Sequence, residues 1–340
     1  MSLFTSKSAP HLDSISPLAA MPGGEVHLRG AHLIGTAPGG ATLGDVQAPL
    51  ILSRTGHAIL KVPEGSVSGA VKVHIQGAES NGLLLNVAVP LAENLHPVAN
   101  PTVDADGNIY ATFSGPRGEK VPVSIFRIDR DYQVRPFVRD LLNATGLAFG
   151  KDGYLYASSR AEGTVYRISP EGAISTYAEG LGVATGIAFD GDGNLFVGDR
   201  SGTIFKIGPD RSIFVYATLE PSVSAYHLAF NDQGTLFVTG PTTSFDSVYA
   251  IDRDGNASVY YRGLGRPQGL AFDGNGNLYV AASLAGERGI VRITPSREAE
   301  LVAAGNGLVG IAFVEDGCAA LATSNAIYHV ALDVEGRPLI

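Results

Sequence analysis

Alternating apolar and polar residues run through most of the chain, and they predict short β-strands. Val71, Val73 and Ile75, for example, are separated by single polar residues. A period of two places every second side chain on one face of a strand, which indicates strands with one buried face. Gly and Pro clusters separate these segments, which favours tight turns between antiparallel strands. In residues 10–90 about seven such strands predict a small β-sandwich.

Residues 91–340 show a second pattern, a short unit that ends in a turn glycine and recurs about every forty residues. A period of this length, with four strand patterns in each unit, is typical of a β-propeller. The third strand of each unit is the most regular, as in Thr164–Ile168. The copies of the turn unit are Thr102–Gly107, Ala148–Gly153, Ala188–Gly193, Ala229–Gly234, Ala271–Gly276 and Ala312–Gly317.

The last unit ends soon after its third strand, so its outer strand has to come from elsewhere. An open ring would expose an unpaired strand edge, which proteins avoid. Two segments could supply the missing strand, either the tail from Arg337 to Ile340 or the segment Val87 to Leu95. If the second segment does so, the linker between the two units is short, and we expect them to be docked on each other.

The repeated unit Gly-(Ile/Leu)-Ala-Phe-Asp-x-(Asp/Asn)-Gly-Asn-Leu-(Phe/Tyr)-Val is similar to the repeats of the NHL and gluconolactonase/regucalcin group. This resemblance implies a six-bladed β-propeller over residues 91–340. It does not imply one activity, because this architecture hosts lactonases, lyases and binding scaffolds. The expected fold class is therefore all-β, with a small Ig-like sandwich followed by a six-bladed propeller.

The turn residues of the first unit occur in an order that resembles the immunoglobulin-like IPT/TIG domain. In that family the domain is a spacer or an interaction module, so the resemblance implies no catalysis in residues 10–90. The residues that carry it are Ile15-Ser16-Pro17, Gly23-Gly24, Gly30, Leu43-Gly44, Val62-Pro63-Glu64-Gly65, Ser68-Gly69 and Ser80-Asn81.

Charge and composition exclude several classes of partner. The net charge is −9, from 33 acidic against 24 basic residues, which argues against a nucleic-acid or anionic-membrane binder. A single cysteine excludes an internal disulfide and a Cys-rich zinc site. No leader pattern precedes residue 10, so we expect a cytoplasmic location, or a secreted or periplasmic one if a leader was removed. The oligomeric state stays open.

The resemblance also allows a test for the family's metal site. Gluconolactonase-like enzymes hold a divalent cation with a Glu, two Asn and an Asp, each where an innermost strand begins. Matching the repeats places at these four positions Ala99, Thr145, Thr185 and Gln268, while Tyr226 and Val309 take the remaining two. None is a carboxylate, so a hard cation would lack charge compensation. No cofactor is expected, and Ca²⁺ or Zn²⁺ only if a lactonase activity is retained.

Strand order divides the ring into two ends. The Asp/Asn-Gly turns between first and second strands form the turn end, where the turns are too short for a ligand. The other loops form the loop end, which carries long insertions at Phe113–Pro122, Thr239–Asp246 and Ala282–Arg288. Loops that are longer than the connection between two strands requires often carry function, which favours a site at the loop end.

Five arginines at the loop end predict a pocket for a carboxylate, sulfate or phosphate. The candidate ligand-binding residues are Arg117, Arg160, Arg200, Arg266, Arg288, Gln268, Thr145, Thr185 and Asn100. The alternative is that each arginine pairs with a neighbouring acid and holds the loops together. The acids in question are Asp199, Glu162 and Glu287.

A histidine at the same level is the candidate catalytic residue. Tyr226-His227 replaces the usual x-Gly pair, so His227 could act as a general base that Asp199 or Tyr226 orients. The alternative is that His227 merely fills a channel position. The first functional hypothesis is a binding propeller for an anionic small molecule, a sugar acid or a protein partner. The second is a gluconolactonase-like hydrolase or lyase with a rebuilt site, and an RNA-binding propeller is disfavoured by the charge.

Overall fold

The computed structural model describes residues 9–35, 39–240 and 246–337. Within these ranges the chain is all-β, because every regular element is a β-strand. The described residues contain no helix of the length and apolarity that crossing a bilayer would need.

Two sheets in the first part of the chain share one buried core. The strands are β1 (His11–Ser16), β2 (Ala19–Ala20), β3 (Glu25–Ala31), β4 (Gly40–Leu43), β5 (Val46–Ala48), β6 (Leu50–Arg54), β7 (His57–Lys61), β8 (Gly69–Ile75), β9 (Ala78–Glu79), β10 (Leu83–Val87) and β11 (Val89–Glu93). One sheet has the order β1-β3-β7-β6, and the other contains β2-β10-β8-β4-β5. Leu28 and Leu60 of the first sheet pack with Val73 and Leu85 of the second, as the alternation predicted.

The later strands form sets of four or five antiparallel strands. The first set is β12 (Thr102–Val103), β13 (Ile109–Thr112), β14 (Ile125–Ile128) and β15 (Val134–Val138). The second is β16 (Ala144–Phe149), β17 (Leu155–Ser159), β18 (Thr164–Ile168) and β19 (Ile174–Ala178). The third is β20 (Ala184–Phe189), β21 (Leu195–Asp199), β22 (Thr203–Ile207) and β23 (Ile213–Thr218).

The remaining sets follow the same order. The fourth is β24 (His227–Phe230), β25 (Leu236–Thr239), β26 (Ser247–Ile251) and β27 (Ala257–Arg262). The fifth is β28 (Leu264–Gly265), β29 (Leu270–Phe272), β30 (Leu278–Leu284), β31 (Glu287–Ile293) and β32 (Ala299–Ala304). The last is β33 (Leu308–Phe313), β34 (Cys318–Thr323) and β35 (Ala326–Ala331). The inner strands β12, β16, β20, β24, β29 and β33 contact one another in that order, and β33 contacts β12, so the sets surround one axis in a propeller-like arrangement.

In the first, third and fifth sets, an aspartate at the first position holds the turn between the inner and second strands. In the third set, Asp190 Oδ1 accepts hydrogen bonds from the backbone N–H groups of Asp192 and Asn194 at 3.0 and 2.9 Å. Gly193 follows with φ of 82°, a conformation that glycine adopts without steric cost. The Asp-Gly sequence at this position thus forms the tight turn predicted from the repeats.

Aromatic rings connect each set to the next. An aromatic residue on the second strand of one set meets, edge to face, a phenylalanine on the inner strand of the following set. In the fourth and fifth sets, Phe237 and Phe272 are 5.0 Å apart at an interplanar angle of 76°. The other pairs of this kind are Tyr110–Phe149, Tyr156–Phe189, Phe196–Phe230 and Tyr279–Phe313. Where the last set meets the first, the smaller residues Val103 and Ala320 share a core instead.

Strand β11 completes the last set. It pairs antiparallel with β35, from Val89 opposite His329 to Glu93 opposite Ala326. This confirms the second of the two segments proposed for the missing outer strand. The first part of the chain also docks on the ring, because β2 pairs in parallel with both β10 and β32. Val89 and Pro90, which precede the expected start of the second unit at residue 91, thus pair with the last set.

Candidate functional site

The inner strands begin in very close contact at the loop end. A methyl group at Gly146 would lie 2.4 Å from the carbonyl oxygen of Thr185, and one at Gly269 would lie 2.0 Å from Asn100 Oδ1. Only a residue without Cβ fits such an approach. The Asn100 side chain reaches neighbouring inner strands, since its Nδ2 donates to Leu270 O at 2.7 Å and its Oδ1 accepts from the Ile311 N–H at 3.1 Å.

Four residues match the metal-ligand positions of gluconolactonase-like enzymes, and the polar side chains among them bond to backbone carbonyls of the protein. Thr145 Oγ1 donates to Asn143 O at 3.0 Å, and Thr185 Oγ1 donates to Gly198 O at 2.8 Å. Gln268 Nε2 donates to Leu308 O at 3.3 Å, and Ala99 has no polar side chain. These residues do not fit a divalent cation, because they bring no carboxylate and their hydroxyl groups already bond to backbone carbonyls. Among the described residues there is also no group of three His, Cys, Asp or Glu side chains arranged to hold a metal.

Three of the five predicted arginines lie near one another. Arg160 and Arg200 follow the second strand in adjacent sets, and each is anchored to a backbone carbonyl, Arg160 Nη2 to Gly115 O at 3.0 Å and Arg200 Nη2 to Val223 O at 2.9 Å. Burial, and then the positive charges of Arg200 and Arg117, lower the pKa of Arg160 below its ordinary value. The charges of Arg117 and Arg200 therefore act on Arg160, and we call these three residues the arginine cluster.

The arginine cluster has no carboxylate partner in the described part of the chain, where the arginine ion pairs involve other residues. The Nε atoms of Arg160 and Arg200 are buried without a hydrogen-bond partner. The acids suggested as alternative partners bond elsewhere. Glu162 accepts from the Tyr166 hydroxyl at 2.8 Å, and Glu287 pairs with His27 at 2.7 Å. The cluster consequently holds unused donors and uncompensated charge.

Asn143 supports the cluster, and sequence reasoning missed it. Its side chain is fully buried and donates to Gly115 O and Pro116 O at 3.0 and 2.9 Å, while its Oδ1 accepts from the Gly118 N–H at 2.7 Å. These bonds fix the loop that carries Arg117. Nothing in the residues that flank Asn143 in the sequence indicated that its side chain would anchor a loop.

The other two arginines are not joined to the cluster. Arg266 and Arg288 are exposed and are not among the charges that lower the pKa of Arg160. The insertion predicted at Ala282–Arg288 extends β30 and β31 into a longer hairpin with a two-residue turn at Ala285–Gly286. Part of the insertion predicted at Thr239–Asp246, residues 241–245, lies outside the described residues.

The structure does not bring the three candidate catalytic side chains together by hydrogen bonds. Asp199 accepts from the Val183 N–H at 2.7 Å and from the Ser201 hydroxyl, and the Tyr226 hydroxyl donates to Glu220 O. His227 is buried, and its Nε2 has no hydrogen-bond partner. Burial alone lowers the pKa of His227 to about 4, so its imidazole is neutral near pH 7.

The lowered pKa of His227 predicts that the protein becomes less stable as the pH decreases. The unfolded chain binds a proton near pH 6.5, whereas the folded chain binds it only near pH 4. The contribution of His227 to the free energy of unfolding should therefore be fully present above pH 6.5. The free energy of unfolding should then decrease as the pH falls toward 4, by about 3 kcal/mol in all. Denaturant unfolding of the wild type and of His227→Gln at several pH values measures this, and the variant should show the flatter profile.

His11→Gln, at a side chain that is 61% exposed, is the control for the replacement of a histidine by glutamine. Equal slopes in the wild type and in His227→Gln would show that the buried imidazole does not set the acid sensitivity of the fold.

A cavity of about 750 Å³ lies along the axis. It extends from Asn100 and His227 at the loop end to Asp104, Glu315 and Asp316 at the turn end. Of the predicted site residues, Asn100 and His227 line this cavity, whereas the arginine cluster lies outside it. The sequence predicted no room for a ligand at the turn end, so the position of the cavity corrects that expectation.

Solved structures with the same overall fold carry several different functions in their names. A candidate gluconolactonase is 19% identical, with TM-score 0.62, over 74% of this chain and 93% of that chain. An auxiliary nutrient binding protein from Bacteroides thetaiotaomicron is 12% identical, with TM-score 0.56, over 95% and 98%. A catalytically inactive virginiamycin B lyase from Staphylococcus aureus, in complex with quinupristin, is 13% identical, with TM-score 0.54, over 97% of each chain.

No protein-family model matches the chain, and no curated protein matches it. At these identities the likeness to solved structures shows the fold alone, an all-β, propeller-like architecture similar to gluconolactonase-like and virginiamycin B lyase-type proteins.

Proposed function

We propose that residues 91–340, joined by Val89 and Pro90, form a six-bladed β-propeller, and that the preceding residues from 10 form an IPT/TIG-like sandwich. The recurring four-stranded sets and the cyclic contact of their inner strands support the propeller. The shared core of two sheets supports the sandwich. In this proposal the sandwich is a fixed spacer or docking arm, since β2 extends the sheet that ends in β32.

We further propose that the protein is a binding propeller that takes a small anion, such as a sugar acid or a phosphate, at the arginine cluster. The observation that carries this function is the set of three guanidinium groups near Arg160, two of them with a buried Nε that has no hydrogen-bond partner, without a carboxylate partner among the described residues. Such a cluster costs free energy unless an anion compensates it, and planar guanidinium groups match carboxylate and phosphate geometry. A protein partner would meet the same chemistry with an acidic loop.

Arg160→Met and Arg200→Met should each weaken anion binding about tenfold, since a charge-assisted hydrogen bond contributes about 1.5–3 kcal/mol. Calorimetric titration of the full chain with gluconate and with inorganic phosphate, at low ionic strength, measures the effect.

Arg139→Met is the matched control for the anion titrations. Arg139 also lies at the loop end, is exposed, and donates to a backbone carbonyl, Pro122 O, at 3.0 Å. Its removal should leave the affinity unchanged. If the wild type binds neither anion at millimolar concentration, or if all three variants lose the same affinity, the arginine cluster is not an anion site.

A gluconolactonase-like hydrolase or a lyase is the second candidate function. It is favoured by His227, a neutral imidazole whose Nε2 is unpartnered and which lies where the inner strand begins. A neutral imidazole can accept a proton from water or from a substrate carbon. The names of the gluconolactonase and lyase structures are consistent with such chemistry on this fold.

His227→Gln should reduce turnover of a sugar lactone at least a hundredfold if His227 is the general base. The assay compares the full chain and the variant, with and without added Ca²⁺ or Zn²⁺. Unchanged turnover in the variant removes this candidate, and turnover that is lost on chelation would instead require a metal site that the four matched positions do not form.

A further inference from the structure

The walls of the axial cavity repeat one apolar pattern. In each set from the second to the last, an aliphatic residue and a phenylalanine two positions later, as in Leu147 and Phe149, lie along the inner strand and line the cavity. The other pairs are Ile187 and Phe189, Leu228 and Phe230, Leu270 and Phe272, and Ile311 and Phe313. A space of about 750 Å³ lies within the usual size of ligand pockets, which combine apolar side chains with a few polar groups.

The turn end of the cavity carries mostly negative charge. Asp104, Glu315, Asp316 and Glu335 line it, and Arg337 is the single basic residue among the described lining residues. The charge of Arg337 is already compensated, because its Nε lies 2.7 Å from Asp232 Oδ1. Glu315 is paired in the same way, with Arg130 Nη2 at 2.6 Å, so Asp104, Asp316 and Glu335 carry the remaining negative charge. Carboxylates at an opening attract cations and repel anions. The turn end therefore favours cations, whereas the arginine cluster at the loop end favours anions.

The C-terminal segment forms part of this end of the cavity. Leu332 N–H donates to Gly317 O at 3.0 Å, Gly274 N–H donates to Glu335 O at 3.0 Å, and Arg337 N–H donates to Phe272 O at 3.1 Å. The segment thus crosses the turns of the last and fifth sets. These bonds fix the backbone of the segment that brings Glu335 to this end of the cavity.

We propose that the axial cavity is a second binding site, independent of the arginine cluster, for an apolar amine. The apolar body of the ligand lies along the aliphatic and phenylalanine residues of the inner strands, where burial removes its apolar surface from bulk water. Its ammonium group lies at the turn end beside Asp316 and Glu335. An acid of the same shape is excluded, because its carboxylate would meet like charges in a partly desolvated opening.

The test uses three naphthalene probes with one ring system, the cation 1-naphthylmethylamine, the neutral 1-methylnaphthalene and the anion 1-naphthylacetate. The chain contains no tryptophan, so naphthalene fluorescence is recorded without an indole background. Arg160→Met/Arg200→Met serves as the background for all titrations, which removes anion binding at the arginine cluster. The amine should bind most tightly and the acid about tenfold more weakly or not at all.

Two kinds of variant separate the cavity from its rim. Ala188→Leu and Ala271→Leu each add bulk at a half-buried lining position in different sets, and either should weaken all bound probes. Asp316→Asn/Glu335→Gln should weaken the amine about fivefold, leave the neutral probe unchanged and strengthen the acid. Asparagine suits position 316, where φ is 58°. The control Asp254→Asn removes an exposed acid that does not line the cavity.

Thermal unfolding of each variant confirms that it is folded, and two leucine variants are used so that one failure does not end the test. Amine binding that survives both leucine substitutions, but not the loss of the two carboxylates, would place the amine on the outer surface and overturn the proposal. Equal affinity for the amine and the acid, or no binding of any probe at millimolar concentration, would also overturn it. Neither result bears on anion binding at the arginine cluster, which is measured separately.

Discussion

Phe237→Ala is expected to lower the free energy of unfolding by about 3–5 kcal/mol, the usual cost of truncating a buried phenylalanine. Phe237 lies on the second strand of the fourth set and is buried between two rings, 4.9 Å from Tyr260 and 5.0 Å from Phe272. Removing it leaves a cavity and loses both edge-to-face contacts, each worth about 0.5–1.5 kcal/mol. Denaturant unfolding, followed by far-UV circular dichroism, measures the loss.

Phe214→Ala is the matched control for this substitution. Phe214 is on the outer strand β23 and its exposed fraction is 59%, so its truncation should change the free energy of unfolding by no more than about 0.5 kcal/mol. Similar losses at both positions would mean that the contacts between neighbouring sets do not dominate the stability of the ring.

Ala92→Asp should destabilise the protein by several kcal/mol and lower its unfolding temperature strongly. Ala92 lies on β11 and is buried in the core that joins the last set to the first, with Ile327 and Ile109. A carboxylate at this position would be desolvated without a designed partner, a penalty of several kcal/mol. Calorimetric unfolding of the full chain, with the yield of folded protein, measures the effect.

Pro90→Asp introduces the same carboxylate two residues earlier on the same strand. Pro90 is exposed, so the new charge stays in water and the unfolding temperature should change little. If both substitutions have equally small effects, β11 is not needed to close the ring, and the pairing of Val89–Glu93 with β35 contributes little to stability.

Most of the fold follows from two periods in the sequence. The alternation of single residues predicts strands, and the recurrence of the turn unit predicts that the strands group into equivalent sets. The source of the last outer strand could not be derived this way, because the C-terminal tail and Val87–Leu95 both satisfy the need for a strand. The pairing of β11 with β35 is a long-range choice that the local pattern does not encode.

The candidate site, like the fold, could be predicted from the sequence only in part. Arg160 and Arg200 hold equivalent positions in successive repeats, so the period alone predicts that they are neighbours. The hairpin at Ala285–Gly286 was missed because a type I′ turn requires positive φ at both residues, here 52° and 93°, and alanine rarely adopts such a conformation. A central channel was expected, but the extension of the cavity to the turn end was not, because it depends on how closely the inner strands approach one another and on a side chain, Asn100, that reaches neighbouring strands.

The pairing of Val89–Glu93 with β35 has a consequence for the order of events during synthesis. Val89 leaves the ribosome about 240 residues before its partner His329. The separation between Ala19 and its partner Ala303 is larger still. Translation proceeds at roughly 5–20 residues per second, so these early strands spend on the order of ten seconds or more without their final neighbours. We therefore expect the nascent chain to depend on chaperones, and a truncated product that ends before β35 to be a target for proteolysis.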